Sequence, residues 1–169
     1  MELRGVQYQV DARGRSSTGF GDTTYTGSAD PEESTLFGKA LDAIMFHIKA
    51  GNVKLKGLTI TGGAKSANTI QIDSPTKKIE ITNCVFRHIQ AKNVIHSNGK
   101  IDLNLVGCQF QDLVEVSHIL YVEQGGDIKV VFTTFQNKGS KCKDYIIHLV
   151  KFTGTALIQN SKLDCADFT

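Results

Sequence analysis

The chain has 169 residues, of which 40% are hydrophobic, and this suits one domain with a continuous core. Its 19 Lys and Arg residues against 17 Asp and Glu leave a net charge of +2, and the basic residues are scattered, which argues against nucleic acid as a partner. No apolar run approaches the roughly 20 residues of a membrane-spanning helix. The opening residues lack the apolar stretch of a secretory signal, so we do not expect the sequence as given to direct its own export.

The first third of the chain predicts a strand, a loop and one helix. Residues 1–33 open with strand-like sequence at Tyr8 and continue into a loop rich in Gly, Ser and Thr. Apolar residues then recur at the spacing of a helix with one buried face, at positions 36, 37, 40, 41, 44, 45 and 48. Ser34 suits the N-cap, and Gly51 suits the stop. We therefore predict a helix over residues 34–50 that caps the structure following it.

Residues 52–169 form an internal repeat. Five strand-like segments each end in a large apolar residue, and these residues are 26, 24, 25 and 28 positions apart: Ile60, Phe86, Phe110, Phe135 and Leu163. A second set of strand-like segments recurs in step, at residues 69–73, 93–97, 119–123 and 145–149. Asn83, Gly107 and Asn160 tolerate a left-handed backbone and divide segments of the first set into two strands. The repeat predicts an all-β parallel solenoid of four to five coils with three walls.

These segments resemble the right-handed parallel β-helix superfamily, which has the pectin-lyase-like fold. The opening stretch Tyr8-Gln-Val-Asp-Ala-Arg-Gly14 looks like its N-terminal strand, and the coils Ile81-Thr-Asn-Cys-Val-Phe86 and Phe132-Thr-Thr-Phe-Gln-Asn137 look like its repeated units. The resemblance implies a right-handed coil and an extracellular or cell-surface location, because many members are adhesins and other surface proteins. It specifies the fold more strongly than the activity.

The catalytic pattern of the superfamily's polysaccharide-cleaving members is absent. Pectate-lyase-like members use an Arg or Lys beside calcium-binding acidic residues, but none of the four arginines here falls on a predicted strand. Polygalacturonase-like members use an aspartate cluster, whereas we assign only Asp73 and Asp102 to the repeating strands, at different places in the coil. We therefore expect a non-catalytic scaffold or surface module, without a cofactor or metal, that binds a carbohydrate or a protein.

An outward-facing set of ionisable residues supports an alternative function. If Ile72, Ile95, Val122 and Ile147 point inward, the next residues form one outward column at spacings of 23, 27 and 25, namely Asp73, His96, Glu123 and His148. Such a column suits general acid and base chemistry or a divalent metal, so the alternative is a polysaccharide lyase or hydrolase. A solvated charge ladder is the simpler interpretation, and periodicity alone does not fix the phase of the wall.

Side chains in and near the predicted variable loops suggest a binding surface. Basic loop residues give a mildly basic edge that suits an acidic glycan: Arg87, Lys92, Lys141 and Lys143. Tyr121 and Tyr145 suit stacking on a sugar if they are exposed.

Two other features concern covalent structure and assembly. Cys84 and Cys108 occupy equivalent places on adjacent coils, where we expect two buried thiols and keep a disulfide as the alternative. The residues after Leu163 are too few for a capping helix, so we expect an open last coil. That coil favours a piece of a longer protein, and end-to-end self-association is a third functional hypothesis.

Overall fold

The computed structural model describes residues 8–10, 23–26, 35–38, 46–48, 52–63, 65–73, 78–136 and 142–164, and in these residues it contains strands and no helix. The strands are β1 (Tyr8–Val10), β2 (Thr23–Thr26), β3 (Thr35–Gly38), β4 (Phe46–Ile48), β5 (Asn52–Lys56), β6 (Thr59–Gly62), β7 (Ile70–Ile72), β8 (Lys78–Thr82), β9 (Val85–Ser97), β10 (Ile101–Val106), β11 (Gln109–Gln111), β12 (Glu115–Val122), β13 (Gly126–Val131), β14 (Thr134–Gln136), β15 (Cys142–Leu149), β16 (Gly154–Gln159) and β17 (Lys162–Asp164). They form a parallel β-solenoid of about four turns, which confirms the predicted fold class.

Three parallel sheets form the walls of the solenoid. Sheet A has the order β1-β3-β6-β9-β11-β14-β17, and sheet B has the order β2-β5-β8-β10-β13-β16. Sheet C has the order β4-β7-β9-β12-β15, and the long strand β9 belongs to sheet A at its start and to sheet C at its end. The chain therefore passes through B, A and C in turn, and side chains that face inward meet in one core.

The repeated apolar residues form one column inside sheet A. Strand pairing places Ile60 beside Phe86, and continues through Phe110 and Phe135 to Leu163. The three phenylalanines are fully buried, with ring centroids 4.5 and 5.0 Å apart and ring planes within 7° of parallel. Each stacked pair adds about 0.5 to 1.5 kcal/mol beyond the burial of its area. The sequence repeat is thus the spacing of this column.

A left-handed backbone residue separates the strands of sheet B from those of sheet A. Asn83, Gly107 and Asn160 have φ values of 51°, 65° and 50°, as the sequence predicts. Gly57 and Phe132 occupy the same place in their turns, with φ values of 64° and 51°. Asparagine and glycine adopt this conformation at low cost, so the chain turns the corner at a defined residue in each coil.

The predicted helix over residues 34–50 is wrong where the structure describes this range, because strands β3 and β4 lie within it. Strand β3 pairs with β6, and β4 pairs with β7, so this range supplies strands to the solenoid. Phe46 and Ile48 are buried on either side of a half-buried His47, which is a two-residue alternation. Pairing with the next turn determines the structure here, and it overrides the helical spacing of the apolar residues. Residues 39–45 lie outside the described part.

The column that follows the bends contains Cys84 and Cys108, which are buried free thiols. The Cys84 thiol donates to the carbonyl of Thr82 at 3.5 Å, and the Cys108 thiol donates to the carbonyl of Ile81 at 3.3 Å. Burial raises the pKa of both thiols, to about 11 for Cys108, and the neighbouring Cys108 adds to the rise at Cys84. Cys84 and Cys108 are therefore two buried thiols, as expected, and the alternative disulfide between them is not formed in this structure.

The last described turn is exposed. Every residue of β16 is exposed, including Leu157 and Ile158 at 48% and 46%, and Leu163 in β17 is 48% exposed. In the preceding turn, by contrast, Val130 and Phe135 are fully buried. Among the described residues, no helical segment has the length and hydrophobicity of a membrane span.

Candidate functional site

The outward face of sheet C carries two rows of polar side chains that run from turn to turn. Strand pairing aligns the first, which we call the imidazole row: His47, Gln71, His96, Tyr121 and His148. The second lies two residues further along each strand, and we call it the carboxylate row: Asp73, Asn98 and Glu123. Side chains two residues apart on a strand share a face, so the two rows lie side by side.

The four predicted site residues therefore do not form the single column that the sequence suggested. His96 and His148 belong to the imidazole row, whereas Asp73 and Glu123 belong to the carboxylate row. The error lies in the register, because Ile72 pairs with Ser97 and not with Ile95. A shift of two residues keeps each side chain on the same face but moves it along the strand.

Contacts between the rows join each predicted acid to a histidine. His96 Nε2 lies 2.8 Å from Glu123 Oε1, and the side chains are 14% and 44% exposed. Asp73 pairs with His47, a residue the sequence analysis did not select, with 2.5 Å between His47 Nε2 and Asp73 Oδ2. The structure thus brings His96 and Glu123 together and gives Asp73 a different partner.

Side chains three residues before the imidazole row, two of them amides, form a hydrogen-bonded chain that reaches His148. Asn68 Oδ1 accepts from the backbone N–H of Asn93 at 3.2 Å and from Asn93 Nδ2 at 2.9 Å. Asn93, which is 3% exposed, places its Oδ1 2.8 Å from His118 Nδ1. His118 Nε2 in turn lies 3.2 Å from His148 Nδ1. Asn68, Asn93, His118 and His148 therefore form one continuous hydrogen-bonded chain, which we call the amide–imidazole chain.

A second branch reaches His96 through Gln71. Asn68 Nδ2 donates to Gln71 Oε1 at 2.6 Å, and Gln71 Nε2 donates to Asp73 Oδ1 at 3.1 Å. His96 Nδ1 lies 2.7 Å from Gln71 Oε1 and 3.1 Å from Asn68 Nδ2. Amide side chains therefore make hydrogen bonds both to His96 and to Asp73.

Four rings cluster where β12 and β15 meet, and we call this cluster the aromatic patch: His118, Tyr121, Tyr145 and His148. The ring centroids of Tyr121 and Tyr145 each lie 5.0 Å from that of His148. Tyr145 is 58% exposed, although its ring also lies 6.0 Å from that of His118. The patch therefore presents an aromatic surface to solvent on the wall that carries the two rows.

The electrostatic environment sets the charge of two groups on this face. Burial by itself raises the pKa of Asp73, but hydrogen bonds from His47, Gln71 and Asn98 outweigh it, so that the pKa is lowered. Burial lowers the pKa of His118, which favours the neutral imidazole. The charge of Asp144 opposes this shift, while His148, Lys92 and His96 add to it; the face therefore combines an ionised Asp73 with a neutral His118 near neutral pH.

The predicted basic edge is placed differently from the expectation. Arg87 and Lys92 lie within β9 and not in a loop, and Lys143 lies in β15. The two ammonium groups of Lys143 and Lys65 both contact the carboxylate of Glu115. Lys141 lies outside the described residues. Of the predicted basic residues, Lys143 is therefore engaged in a salt bridge, and the binding role of the basic edge stays a prediction.

Sequence reasoning missed most of the residues that hold this face together. The missed residues are His47, Asn68, Gln71, Asn93 and the structural role of His118. A signal was present, because Asn68, Asn93 and His118 are spaced by 25 residues (93−68, 118−93), as are Gln71, His96 and Tyr121 (96−71, 121−96). Outward polar positions that repeat at the period of the core column belong to one row.

Within the described part of the chain, no three His, Cys, Asp or Glu side chains converge as metal ligands. Comparisons with protein-family models, with curated proteins and with solved structures gave no match.

Proposed function

We propose that this protein is a non-catalytic β-solenoid module that binds carbohydrate through the outward face of sheet C. The observation that carries the proposal is the aromatic patch, in which Tyr145 is 58% exposed and its ring is held 5.0 Å from that of His148. An aromatic side chain has only two rotatable bonds, so little conformational entropy is lost when it packs against a ligand.

The chemistry of the face supports a sugar over an apolar ligand. A sugar has C–H faces, which pack on aromatic rings, and hydroxyl edges, which need hydrogen-bond partners. The carboxylate of Glu123 is 44% exposed beside the patch and accepts hydrogen bonds, and the tyrosine hydroxyls both donate and accept. Both kinds of contact are within one wall of the solenoid.

The same proposal includes the family and the location that the sequence suggests. We place the chain in the pectin-lyase-like superfamily, as a right-handed coil of the surface or adhesin type acting outside the cell or on its surface. The parallel solenoid with three walls supports this placement.

Glycan-array binding tests the proposal directly. The wild-type chain is compared with Tyr145→Ala, and Phe132→Ala is the matched control because Phe132 is 63% exposed and lies at a bend between sheets B and A. We expect retention of a defined set of glycans and a loss of about tenfold in affinity for Tyr145→Ala alone. The proposal is overturned if the wild-type chain binds none of the glycans, or if Tyr145→Ala and Phe132→Ala bind them equally well.

A second candidate function rests on the pairing of His96 with Glu123, whose atoms lie 2.8 Å apart. Such a pair suits proton transfer in a polysaccharide lyase or hydrolase. Mass spectrometry of acidic and neutral polysaccharides after incubation, with and without calcium, distinguishes the two candidates. New oligosaccharides that disappear in His96→Gln, but persist in the exposed-histidine control His88→Asn, would establish the enzyme and refute the non-catalytic module.

A further inference from the structure

We propose that the amide–imidazole chain fixes the tautomer of His148, so that its Nε2 presents a lone pair to a hydroxyl group of a neutral sugar. This inference rests on the proposed carbohydrate-binding function and names the class of sugar and its dependence on pH. His118 is a positioning residue in this account, because it acts on the ligand through His148.

The direction of the chain is set by a backbone group. Backbone N–H groups only donate, so the side-chain atom of Asn68 that lies 3.2 Å from the N–H of Asn93 must be the carbonyl oxygen. The atom of Asn93 that lies 2.9 Å from that same oxygen must then be its amide nitrogen. The remaining amide atom of Asn93 is its oxygen, and this oxygen faces His118. The orientations of the Asn68 and Asn93 amides are therefore both assigned from the backbone N–H of Asn93, which can only donate.

The tautomers of the two histidines follow from this direction. His118 Nδ1 lies 2.8 Å from the oxygen of Asn93, so Nδ1 carries the proton. A neutral His118 then has its lone pair on Nε2, which lies 3.2 Å from His148 Nδ1, so that nitrogen must donate. A neutral His148 is left with its lone pair on Nε2. Within the described residues, no hydrogen-bond partner contacts this nitrogen.

The unpaired lone pair on His148 Nε2 selects for hydrogen-bond donors. His148 Nε2 belongs to a ring lying 5.0 Å from those of Tyr121 and Tyr145, so a ligand on the aromatic patch also meets this nitrogen. A sugar hydroxyl donates to it, whereas a carboxylate or sulfate group would place one acceptor against another. The nearby carboxylate of Glu123 disfavours anions further. The patch is therefore suited to neutral sugars.

Acidification reverses the chemistry of the pair. A proton added to His118 Nε2 places two N–H groups against each other across 3.2 Å, and a proton added to His148 Nε2 removes the acceptor. The charged and titratable groups that act on His118 come from the adjoining strands: Lys92 and His96 in β9, and Asp144 and His148 in β15. Burial lowers the pKa of His118, so this ring is neutral at neutral pH, and its acceptor on Nε2 is lost when the ring takes up a proton as the pH falls.

Nitrogen-15 NMR of the imidazoles, without any ligand, tests the inference. At about pH 8 we expect both His118 and His148 as the tautomer with the proton on Nδ1, and loss of this tautomer at His118 as the pH falls and the ring takes up a proton. Asn93→Asp keeps the acceptor for His118 and adds a negative charge, so it should move this titration to higher pH. His88→Asn, which removes an exposed histidine away from the patch, should leave both rings unchanged.

Finding the proton on Nε2 of either His118 or His148 at about pH 8 overturns the inference and leaves the carbohydrate proposal intact. A glycan array without any retention refutes the carbohydrate proposal instead, whatever the tautomers are. With a retained neutral glycan, affinity should fall about tenfold between about pH 7.5 and pH 5. Unchanged affinity across this range contradicts the role of His148 as an acceptor.

Discussion

Gly126 shows how tightly the turns of the solenoid approach one another at the start of sheet B. Its φ is 136°, and a Cβ atom placed there would lie 1.7 Å from the carbonyl oxygen of Ile101 in the preceding turn. Gly154 repeats the arrangement, since its Cβ would lie 1.9 Å from the carbonyl oxygen of Gly126. Side chains are excluded at both places by backbone atoms, which do not move aside as a flexible side chain does.

Replacement of Gly126 by alanine should destabilise the protein strongly. We expect Gly126→Ala to lower the free energy of unfolding by about 3 kcal/mol, because it adds both steric overlap and a strained φ. Urea denaturation followed by circular dichroism measures the change. Lys129→Ala, an exposed substitution on the same strand, is the control and should change the free energy by about 0.5 kcal/mol or less. Equal values for the two variants would contradict this account.

The residue scale is also where the sequence predicted least about the site. The alternation of buried and exposed positions is a local property, so the sequence alone identifies Asp73, His96, Glu123 and His148 as outward-facing residues. The register of these residues depends on which carbonyl each backbone N–H pairs with in the neighbouring turn. A shift of two residues between neighbouring strands does not alter the alternation. The partners of His96 and Asp73 therefore follow from the structure alone.

At the scale of the strands, the stacked phenylalanines of sheet A hold β9, β11 and β14 together. Phe110 lies between Phe86 and Phe135 and has no exposed surface. We expect Phe110→Ala to lower the free energy of unfolding by about 4 kcal/mol, because it removes a buried ring and leaves a cavity in a parallel stack. Thermal and urea denaturation measure the loss.

Phe132→Ala serves as the control for the ring itself, since Phe132 is 63% exposed and lies outside the core. It should cost less than about 1 kcal/mol. Similar losses for Phe110→Ala and Phe132→Ala would show that the stack does not stabilise the turns.

A salt bridge between elements gives a prediction for pH. Glu115 in β12 contacts Lys143 in β15 and Lys65 near β7, and hydrogen bonds from Lys143 and Lys65 lower its pKa to about 2. A lowered pKa contributes stability that is present above about pH 4.5 and is lost as the pH falls towards about 2. Glu115→Gln should therefore show a shallower loss of stability in this range, measured by urea denaturation at each pH.

Salt and a matched variant separate this contact from general acid denaturation. About 0.5 M NaCl should reduce the difference between wild type and Glu115→Gln, because the group lies at the surface and is screened. Asp112→Asn, an exposed acid-to-amide change just before β12, should retain the wild-type slope. A slope for Glu115→Gln equal to that of the wild type would rule out the salt bridge as a source of acid sensitivity.

The elements also show why one structural prediction was wrong. The apolar positions between residues 36 and 48 fit a helix, but Phe46 and Ile48 are equally the two inward positions of a short strand. Short apolar runs do not distinguish the two periods, and the parallel partner in the next turn decides between them. The strands after Asn52 were predictable because the same pattern recurs in every turn.

For the whole molecule, the exposed last turn predicts association. β16 pairs only with β13 among the described strands, and its inward-facing Ile158 is 46% exposed. An unpaired, apolar edge favours the addition of another strand, so we expect the mass in sedimentation experiments to rise with protein concentration. A single mass at all concentrations would exclude end-to-end assembly.

Two variants of adjacent residues on this strand test the route of association. Ile158→Lys places a charge on the inward side of the edge and should keep the protein monomeric. Leu157→Lys changes the outward side of the same strand at similar exposure and should leave association in place. Equal effects of the two variants would indicate that association does not use the open end of the core.

At this scale the sequence predicted the architecture well and the chemistry poorly. Core residues recur about every 25 positions, and a left-handed residue such as Asn83 recurs in each turn. The pattern seen in one turn therefore supports the prediction of the others. On the outward face of sheet C the polar positions recur at the same period, but the residue type changes along each row, as from Asn93 to His118. Repetition therefore makes the fold predictable from the sequence, while the chemistry of the candidate site depends on side chains that differ from turn to turn.

The central claim is that a carbohydrate binds at the aromatic patch, and an NMR titration of the wild-type protein with an array-selected glycan tests it most directly. We predict saturable shifts of the ring signals of Tyr121, Tyr145 and His148, no shift of the exposed Phe132 ring, and a glycan of unchanged mass at the end. Shifts confined to other walls, or cleavage of the glycan, would contradict the account.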